Sequence, residues 1–119
     1  MITLPDPDGS GFLVWAIAAN MNASEVQVGG HFRYTISASG ETIEGRDRLF
    51  KSCLVLSLSP KDLPKGAKLA GLSMGWIVSD TPLEIHVFLQ RYAKLPFMIM
   101  TTSNQKMWEV DQGKITKKN

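Results

Sequence analysis

The feature that most constrains the fold is a series of short apolar or alternating segments, each soon closed by Gly, Pro, Asn or Asp. There are about seven such segments, and no stretch carries a long helical period. This length and spacing are typical of antiparallel β domains. We therefore predict an all-β or β-rich α+β fold of about seven short antiparallel strands. A sandwich or a partly open barrel fits, with at most one or two short helices.

A length of 119 residues corresponds to one domain. Residues 1–11 are rich in Pro, Asp and Gly and are predicted to be a lead-in arm, while residues 12–112 form the single β-rich domain. Residues 113–119 are a basic tail. Residues 46–56 are the one plausible helix in the α+β alternative, and the pattern leaves helix or strand open there.

The clearest local patterns are alternating. "VQVGGHFRYTIS" (26–37) alternates apolar and polar side chains with a slip at Gly29–Gly30, which predicts a β-bulge. "SASGET" (37–42) predicts a hairpin turn in which Gly40 takes a positive φ. "TPLEIHVFLQRY" (81–92) is the clearest predicted strand.

The predicted strand at 81–92 decides how its titratable residues are interpreted. Residues two apart in a strand share a face, so Glu84 and His86 are expected on its outer surface, ~7 Å apart. That separation is long for direct proton transfer. A small hydrolase or isomerase built around Glu84, His86 or Asp80 is therefore the least favoured hypothesis.

Motifs for other chemistry are absent from the sequence. There is no phosphate-binding loop, dinucleotide fingerprint or nucleophile elbow. One cysteine and two histidines give no recognisable metal site, and Cys53 lies in an apolar run where a free cysteine acts as a small hydrophobe. We predict no catalytic residues, no metal and no cofactor. The cysteine count favours an intracellular setting.

Two residue groups predict contact with partners. A lysine-rich loop beside Leu63 and Leu69, together with the tail, is a candidate anionic surface site: Lys61, Lys65, Lys68, Lys114, Lys117 and Lys118. A strand that is apolar on both faces is a candidate self-association surface: Pro96, Met98, Met100, Met107 and Trp108. The plain alternatives are that the lysines only keep the loop and the tail soluble, and that the strand is buried in the core on both faces.

A nucleic-acid-binding barrel is the second hypothesis. Its candidate residues are Phe32, Arg33, Tyr34, Arg46, Arg48 and Lys51, with the two aromatic rings as stacking platforms. Alternation places Phe32 and Tyr34 on one face and Arg33 on the other, so aromatic and charged side chains are not expected on one surface. A net charge of +2 is also low for a nucleic-acid binder.

The segment "LVLSLSPKDLPKGAKLAGLSMGWIVSDTPLE" (54–84) resembles the middle of rhabdovirus-type matrix proteins. The shared features are a short apolar segment, a Ser/Pro loop, a P-x-G turn and an aromatic strand. No late-domain "PPxY" leader precedes it here. The resemblance implies self-assembly, binding to anionic membrane and contact with a nucleocapsid.

Together these patterns predict a non-enzymatic binding or structural protein that self-associates and contacts other proteins or an anionic membrane. A small viral or phage-encoded matrix-like or accessory protein fits, located in the host cytoplasm or the virion. The alternatives are the nucleic-acid-binding barrel and, last, the small enzyme.

Overall fold

The computed structural model describes residues 1–118, which contain ten strands, one α-helix and one short 3-10 helix. In chain order the elements are β1 (Ile2–Pro5), β2 (Phe12–Ala16), β3 (Glu25–Gln27), β4 (Phe32–Ile36), β5 (Ile43–Arg48), β6 (Val55–Ser57), the 3-10 helix (Pro60–Asp62), β7 (Leu72–Trp76), α1 (Glu84–Ala93), β8 (Phe97–Thr101), β9 (Lys106–Asp111) and β10 (Lys114–Lys117). The predicted β-rich fold class is confirmed.

The strands form three sheets. The N-terminal sheet has the order β1-β2-β4-β5, the C-terminal sheet has the order β10-β9-β8-β7, and β3 pairs with β6 in a two-stranded ribbon. The sheets of residues 1–118 do not close into a barrel. All pairs are antiparallel except β7 and β8, which run parallel because the chain returns through α1 between them.

The prediction of a strand at residues 81–92 is wrong, since Glu84–Ala93 is the α-helix. Its apolar residues satisfy a helical period as well as alternation, because Ile85 and Leu89 lie four apart and both are buried against the C-terminal sheet. Glu84 begins the helix, and its negative charge interacts favourably with the positive end of the helix dipole. Lys94 ends the helix in the left-handed conformation, with φ 58°.

Three other local predictions have different outcomes. Gly29–Gly30 is the break between β3 and β4 and not a bulge within one strand. Gly40 has φ 80° in the β4–β5 turn, as the hairpin pattern predicts. Residues 46–56 contain the end of β5, a loop and the start of β6, which excludes a helix there.

The two ends of the chain pair as edge strands. Residues 1–11, expected as an arm, include β1, which pairs with β2 from Ile2↔Trp15 to Pro5↔Phe12. The basic tail includes β10, which pairs with β9 from Lys114↔Asp111 to Lys117↔Trp108. Asn119 lies outside the described residues.

The buried core lies between α1 and the inner face of the C-terminal sheet. Alternate residues of β7 and β8 are buried there, and the largest fully buried side chains include Trp76, Phe97 and Ile99. The ribbon and the loops beside it add Val26, Val28 and Leu49. No helix of residues 1–118 is both long and apolar enough to cross a membrane.

The molecule is elongated for its length. Its principal extents are 56 × 34 × 24 Å and its radius of gyration is 15.7 Å, against about 13.5 Å for an average domain of this size. The accessible surface is 7560 Å², compared with about 6400 Å² for a compact monomer of this mass. The chain alone therefore leaves more surface uncovered than a typical domain.

Candidate functional site

The outer face of the C-terminal sheet brings three of the predicted self-association residues together. Met100 pairs with Met107 across β8 and β9, and Met98 precedes Met100 on the same face. Ser73 and Gly75 of β7 lie beside Met98 and Met100 in register, and these five residues line a shallow hollow. We call these five residues the methionine face. Met100 is 46% exposed.

The other two predicted residues do not line this hollow. Trp108 pairs with the fully buried Ile99 and lies on the inner side of the sheet, where its Nε1 donates a hydrogen bond of 3.0 Å to Thr101 Oγ1. Pro96 precedes β8 and accepts a backbone hydrogen bond from Leu72. The methionines thus separate from Trp108 because successive residues of a strand point to opposite faces.

The outer face of the N-terminal sheet carries four of the six nucleic-acid candidates. In register, Tyr34 pairs with Arg46 and Phe32 with Arg48. The Arg46 guanidinium lies 5.5 Å from the centre of the Tyr34 ring, and the Phe32 and Tyr34 rings stack with centroids 6.4 Å apart. We call these four residues the aromatic–arginine face.

The sequence-based separation of aromatic and charged side chains is therefore right for Arg33 and wrong for Arg46 and Arg48. Arg33 lies on the inner side of the sheet, because its neighbours Phe32 and Tyr34 point outward. Alternation within β4 predicts this, but only the pairing of β4 with β5 places the other two arginines. Lys51 is exposed in the loop beyond β5 and lines a separate hollow with Phe50 and Trp76.

Arg33 belongs to an ionic cluster that joins the N-terminal sheet to α1. Its Nη1 lies 2.6 Å from Glu84 Oε1, and its Nη2 lies 3.1 Å from Asp47 Oδ2. Trp15 Nε1 donates a hydrogen bond of 3.0 Å to the same Glu84 oxygen. Sequence reasoning missed this cluster, because residues 51 and 69 positions apart meet only in the folded chain.

The cluster keeps both of its main charges. Burial alone would raise the pKa of Glu84, but its own backbone N–H, the Trp15 indole and the Arg33 guanidinium favour the carboxylate, and the pKa is lowered. Burial alone would lower the pKa of Arg33, but Glu84 and Asp47 outweigh it and the pKa is raised. Glu84 and Arg33 are therefore both ionised at neutral pH.

Glu84 and His86 do not share a face, contrary to the strand prediction. His86 is fully buried, its ring meets Trp76 edge-on at 4.4 Å, and its Nδ1 accepts a hydrogen bond of 2.9 Å from the Leu83 N–H. Burial lowers the pKa of His86 to about 4, so the ring is neutral. Its Nε2 has no hydrogen-bond partner among residues 1–118.

Asp80, the third residue of the enzyme hypothesis, has different hydrogen-bond partners from Glu84 and His86. Asp80 accepts hydrogen bonds from Ser103 at its carboxylate and from Asn104 at its carbonyl, and neither Glu84 nor His86 shares these partners. Cys53, which was expected to act as a small hydrophobe, is exposed because residues 49–54 form a loop. No three His, Cys, Asp or Glu side chains within residues 1–118 are placed to hold a metal ion.

The six candidate lysines are exposed, but they lie in two separate segments of the chain and do not all share one face. Lys61, Lys65 and Lys68 are exposed in the 3-10 helix and the loop that follows it. Leu63 and Leu69, expected to be exposed beside them, are half-buried because they pack towards the protein, and Leu69 contacts the core. On β10, Lys114 and Lys117 point to opposite faces, while Lys118 lies 3.5 Å from Glu109.

Comparison with known proteins returned no match to a family model, a curated protein or a solved structure.

Proposed function

We propose that this chain is a non-enzymatic binding protein that self-associates through the methionine face. The observation that carries the proposal is the grouping of Met98, Met100 and Met107 on the outer side of a sheet whose inner side is already covered by α1. Methionine side chains are flexible and polarisable and are enriched in protein contacts.

The shape of this face suits a close contact. Gly75 and Ser73 contribute little side-chain volume, so they leave a hollow of about 400 Å³ beside the longer methionines. A second copy can fill that hollow with its own methionines in a two-fold arrangement. The accessible surface exceeds that of a compact monomer by about 1,200 Å², more than the ~800 Å² that each partner buries in a standard interface.

Sedimentation velocity at micromolar concentrations tests the proposal. The wild-type chain is expected to sediment as a dimer or larger species, and Met100→Glu is expected to be monomeric because a carboxylate would be buried unpaired. The matched control is Met21→Glu at a 93% exposed loop position, which is expected to leave the assembly unchanged. A wild-type chain that remains a monomer at these concentrations contradicts the proposal.

A matrix-like protein is the narrower form of this proposal, and it adds an anionic membrane as partner and an intracellular or virion location. The exposed Lys61, Lys65 and Lys68 support that addition, at about 1 kcal/mol for each lysine near an anionic surface. Co-sedimentation with phosphatidylserine vesicles tests it. We expect binding that salt weakens and that Lys65→Glu with Lys68→Glu removes. Equal binding to phosphatidylcholine vesicles contradicts it.

A second candidate function, binding of single-stranded nucleic acid, is favoured by the aromatic–arginine face. Two stacked rings flanked by two exposed arginines offer stacking surfaces and phosphate contacts on one side of an open sheet. Such a platform requires the arginines to share the aromatic side, which the β4–β5 register provides.

Fluorescence anisotropy with short single-stranded oligonucleotides tests this candidate. Tyr34→Ala is expected to weaken binding about tenfold through lost stacking, and Arg46→Ala with Arg48→Ala is expected to reduce its salt dependence. Arg91→Ala with Lys61→Ala, at two exposed positions outside this face, is the control with the same loss of two positive charges. Absent or salt-insensitive binding of the wild-type chain removes the candidate.

A further inference from the structure

A cleft separates the inner side of the N-terminal sheet from α1. It is lined mainly by apolar side chains from β1, β2 and the helix, and Glu84 stands at its polar end. The residues used below are Ile2, Leu4, Trp15, Ile85, Phe88 and Glu84. Its volume is about 150 Å³, the size of an apolar cavity that accepts a molecule such as benzene.

Large apolar side chains remain exposed around this cleft. Leu4 is 52% exposed, Phe88 is 41% exposed and Ile2 is 36% exposed. All three line the cleft, from two different elements. Exposed apolar groups that gather around one hollow mark a binding site more than the same groups scattered singly.

The polar end of the cleft has a carboxylate oxygen available. The side-chain hydrogen bonds from Trp15 and Arg33 both go to Glu84 Oε1. Glu84 Oε2 receives no side-chain donor within residues 1–118, and about two-fifths of the side chain is exposed. A donor carried by a ligand can therefore reach this oxygen without displacing Trp15 or Arg33.

The charged side chains near that oxygen are mainly carboxylates. A second hollow adjoins the cleft and shares Leu4, Trp15 and Glu84 with it, and its walls also include Arg33 and Asp8. Arg33 is paired with both Glu84 and Asp47. One guanidinium among three carboxylates leaves two negative charges in excess, which favours a cation over an anion.

We propose that the cleft binds a small amphiphilic amine, with its hydrocarbon chain between Ile2, Ile85 and Phe88 and its ammonium group at Glu84 Oε2. A chain of about six carbons matches the cavity volume. The buried methylenes supply most of the binding energy, and the ammonium selects the ligand by a charge-assisted hydrogen bond. The site requires no self-association and is independent of the methionine face.

Hexylammonium, hexanol and hexanoate form a matched set of probes for this site, since they share a chain and differ in head group. Two-dimensional NMR of the ¹⁵N-labelled full chain follows the Trp15 indole N–H and the Ile85 amide. Hexylammonium is expected to give saturable shifts at both, hexanol to bind more weakly and hexanoate the most weakly. Added salt is expected to weaken hexylammonium binding and to leave hexanol binding unchanged.

Substitutions at the two ends of the cleft separate the contribution of the ammonium group from that of the hydrocarbon chain. Glu84→Gln is expected to weaken hexylammonium about tenfold and to leave hexanol unaffected. Leu4→Asn, on the exposed edge strand, is expected to weaken both hexylammonium and hexanol, because it removes an apolar wall of the cleft without adding a charge. Glu109→Gln is the matched control, because Glu109 pairs with Lys118 on the C-terminal sheet away from the cleft.

Asp8→Asn gives a second test in case Glu84→Gln unfolds the N-terminal sheet, since Asp8 is exposed and makes no side-chain ion pair among the described residues. A severalfold loss of hexylammonium affinity is expected. The proposal is overturned if hexanoate binds as tightly as hexylammonium, if the shifts do not saturate or lie outside the cleft, or if both carboxylate variants bind like the wild-type chain.

Discussion

The two four-stranded sheets have the same number of strands but differ in what covers them. In the C-terminal sheet, alternate residues of β7 and β8 are buried under α1 and supply much of the core. In the N-terminal sheet, Trp15 is the one buried strand residue among residues 1–118, and β1 is exposed throughout. Apolar burial is the main favourable term in folding, so we infer that stability resides mainly in the C-terminal sheet.

The N-terminal sheet is attached through the apolar packing of Trp15, Leu13 and Ile17 and through a set of polar contacts. The cluster of Trp15, Arg33, Glu84 and Asp47 links it to α1. Such partly exposed ion pairs stabilise only weakly because water screens them. We infer that the C-terminal sheet and α1 form the stable core, while the N-terminal sheet mainly presents surfaces. Four predictions test this division.

The largest effect is expected from Phe97→Ala in the C-terminal sheet. Phe97 is fully buried, so its truncation leaves a cavity and costs about 4 kcal/mol of unfolding free energy. Phe12→Ala in β2 is the matched change, and it should cost about 1 kcal/mol or less because Phe12 is 37% exposed. Urea denaturation measures both, and equal losses would remove the distinction between the sheets.

The next largest effect is expected from Gly11→Ala at the start of β2. A Cβ at this position would lie 1.9 Å from the Ile36 carbonyl oxygen, so β2 and β4 must separate, at a cost of about 3 kcal/mol. Hydrogen exchange should rise across the N-terminal sheet and change little in β8 and β9. Ser10→Ala next to it is the control, and faster exchange in both sheets would show that they unfold together.

A pH effect of about 2 kcal/mol is expected from His86 in the body of the molecule. Burial lowers the pKa of His86 to about 4, below the unfolded value of about 6.5. The folded state therefore favours the neutral ring, and its free energy of unfolding is fully retained above about pH 6.5. Between pH 7.5 and pH 5 the unfolded chain takes up the proton first and about 2 kcal/mol is lost. Denaturation at both pH values should show this loss in the wild-type chain and a smaller one in His86→Phe.

The smallest effect is expected at the attachment between the sheets. Trp15→Phe keeps an aromatic ring but removes the indole donor to Glu84, which costs about 1 kcal/mol because the Glu84 side chain is partly exposed. Hydrogen exchange should rise in β1 and β2 alone. Trp108→Phe instead removes the donor to Thr101 in the C-terminal sheet. We expect this change to lower the free energy of global unfolding. Identical exchange patterns in the two variants would contradict the division.

Some elements follow from local chemistry and others do not. The β4–β5 turn was predictable, because a glycine between alternating strands has one favoured use and Gly40 has the positive φ that this use requires. The helix at Glu84–Ala93 was missed, although "TPLE" (81–84) places a Thr three residues before a Glu with Pro between them, a common helix-start signal. Its apolar residues fit both periods, and burial against a distant sheet selected the helix.

The candidate surfaces divide in the same way. That Phe32 and Tyr34 point away from Arg33 follows from alternation within one strand, as does the common side of Met98 and Met100. That Arg46 and Arg48 join the aromatic rings depends on the register between two strands. The cleft depends on β1, β2 and α1 meeting, which no local pattern contains.

The sequence by itself determined the β-rich class and the alternation within each strand, because backbone sterics and side-chain spacing act between neighbours in the chain. Only the tertiary structure decided which strands pair, that residues 84–93 are helical, and that Trp15, Arg33 and Glu84 meet. Those outcomes depend on burial and electrostatic contact between residues dozens of positions apart, and the free energy of such contacts exists only once the chain has folded.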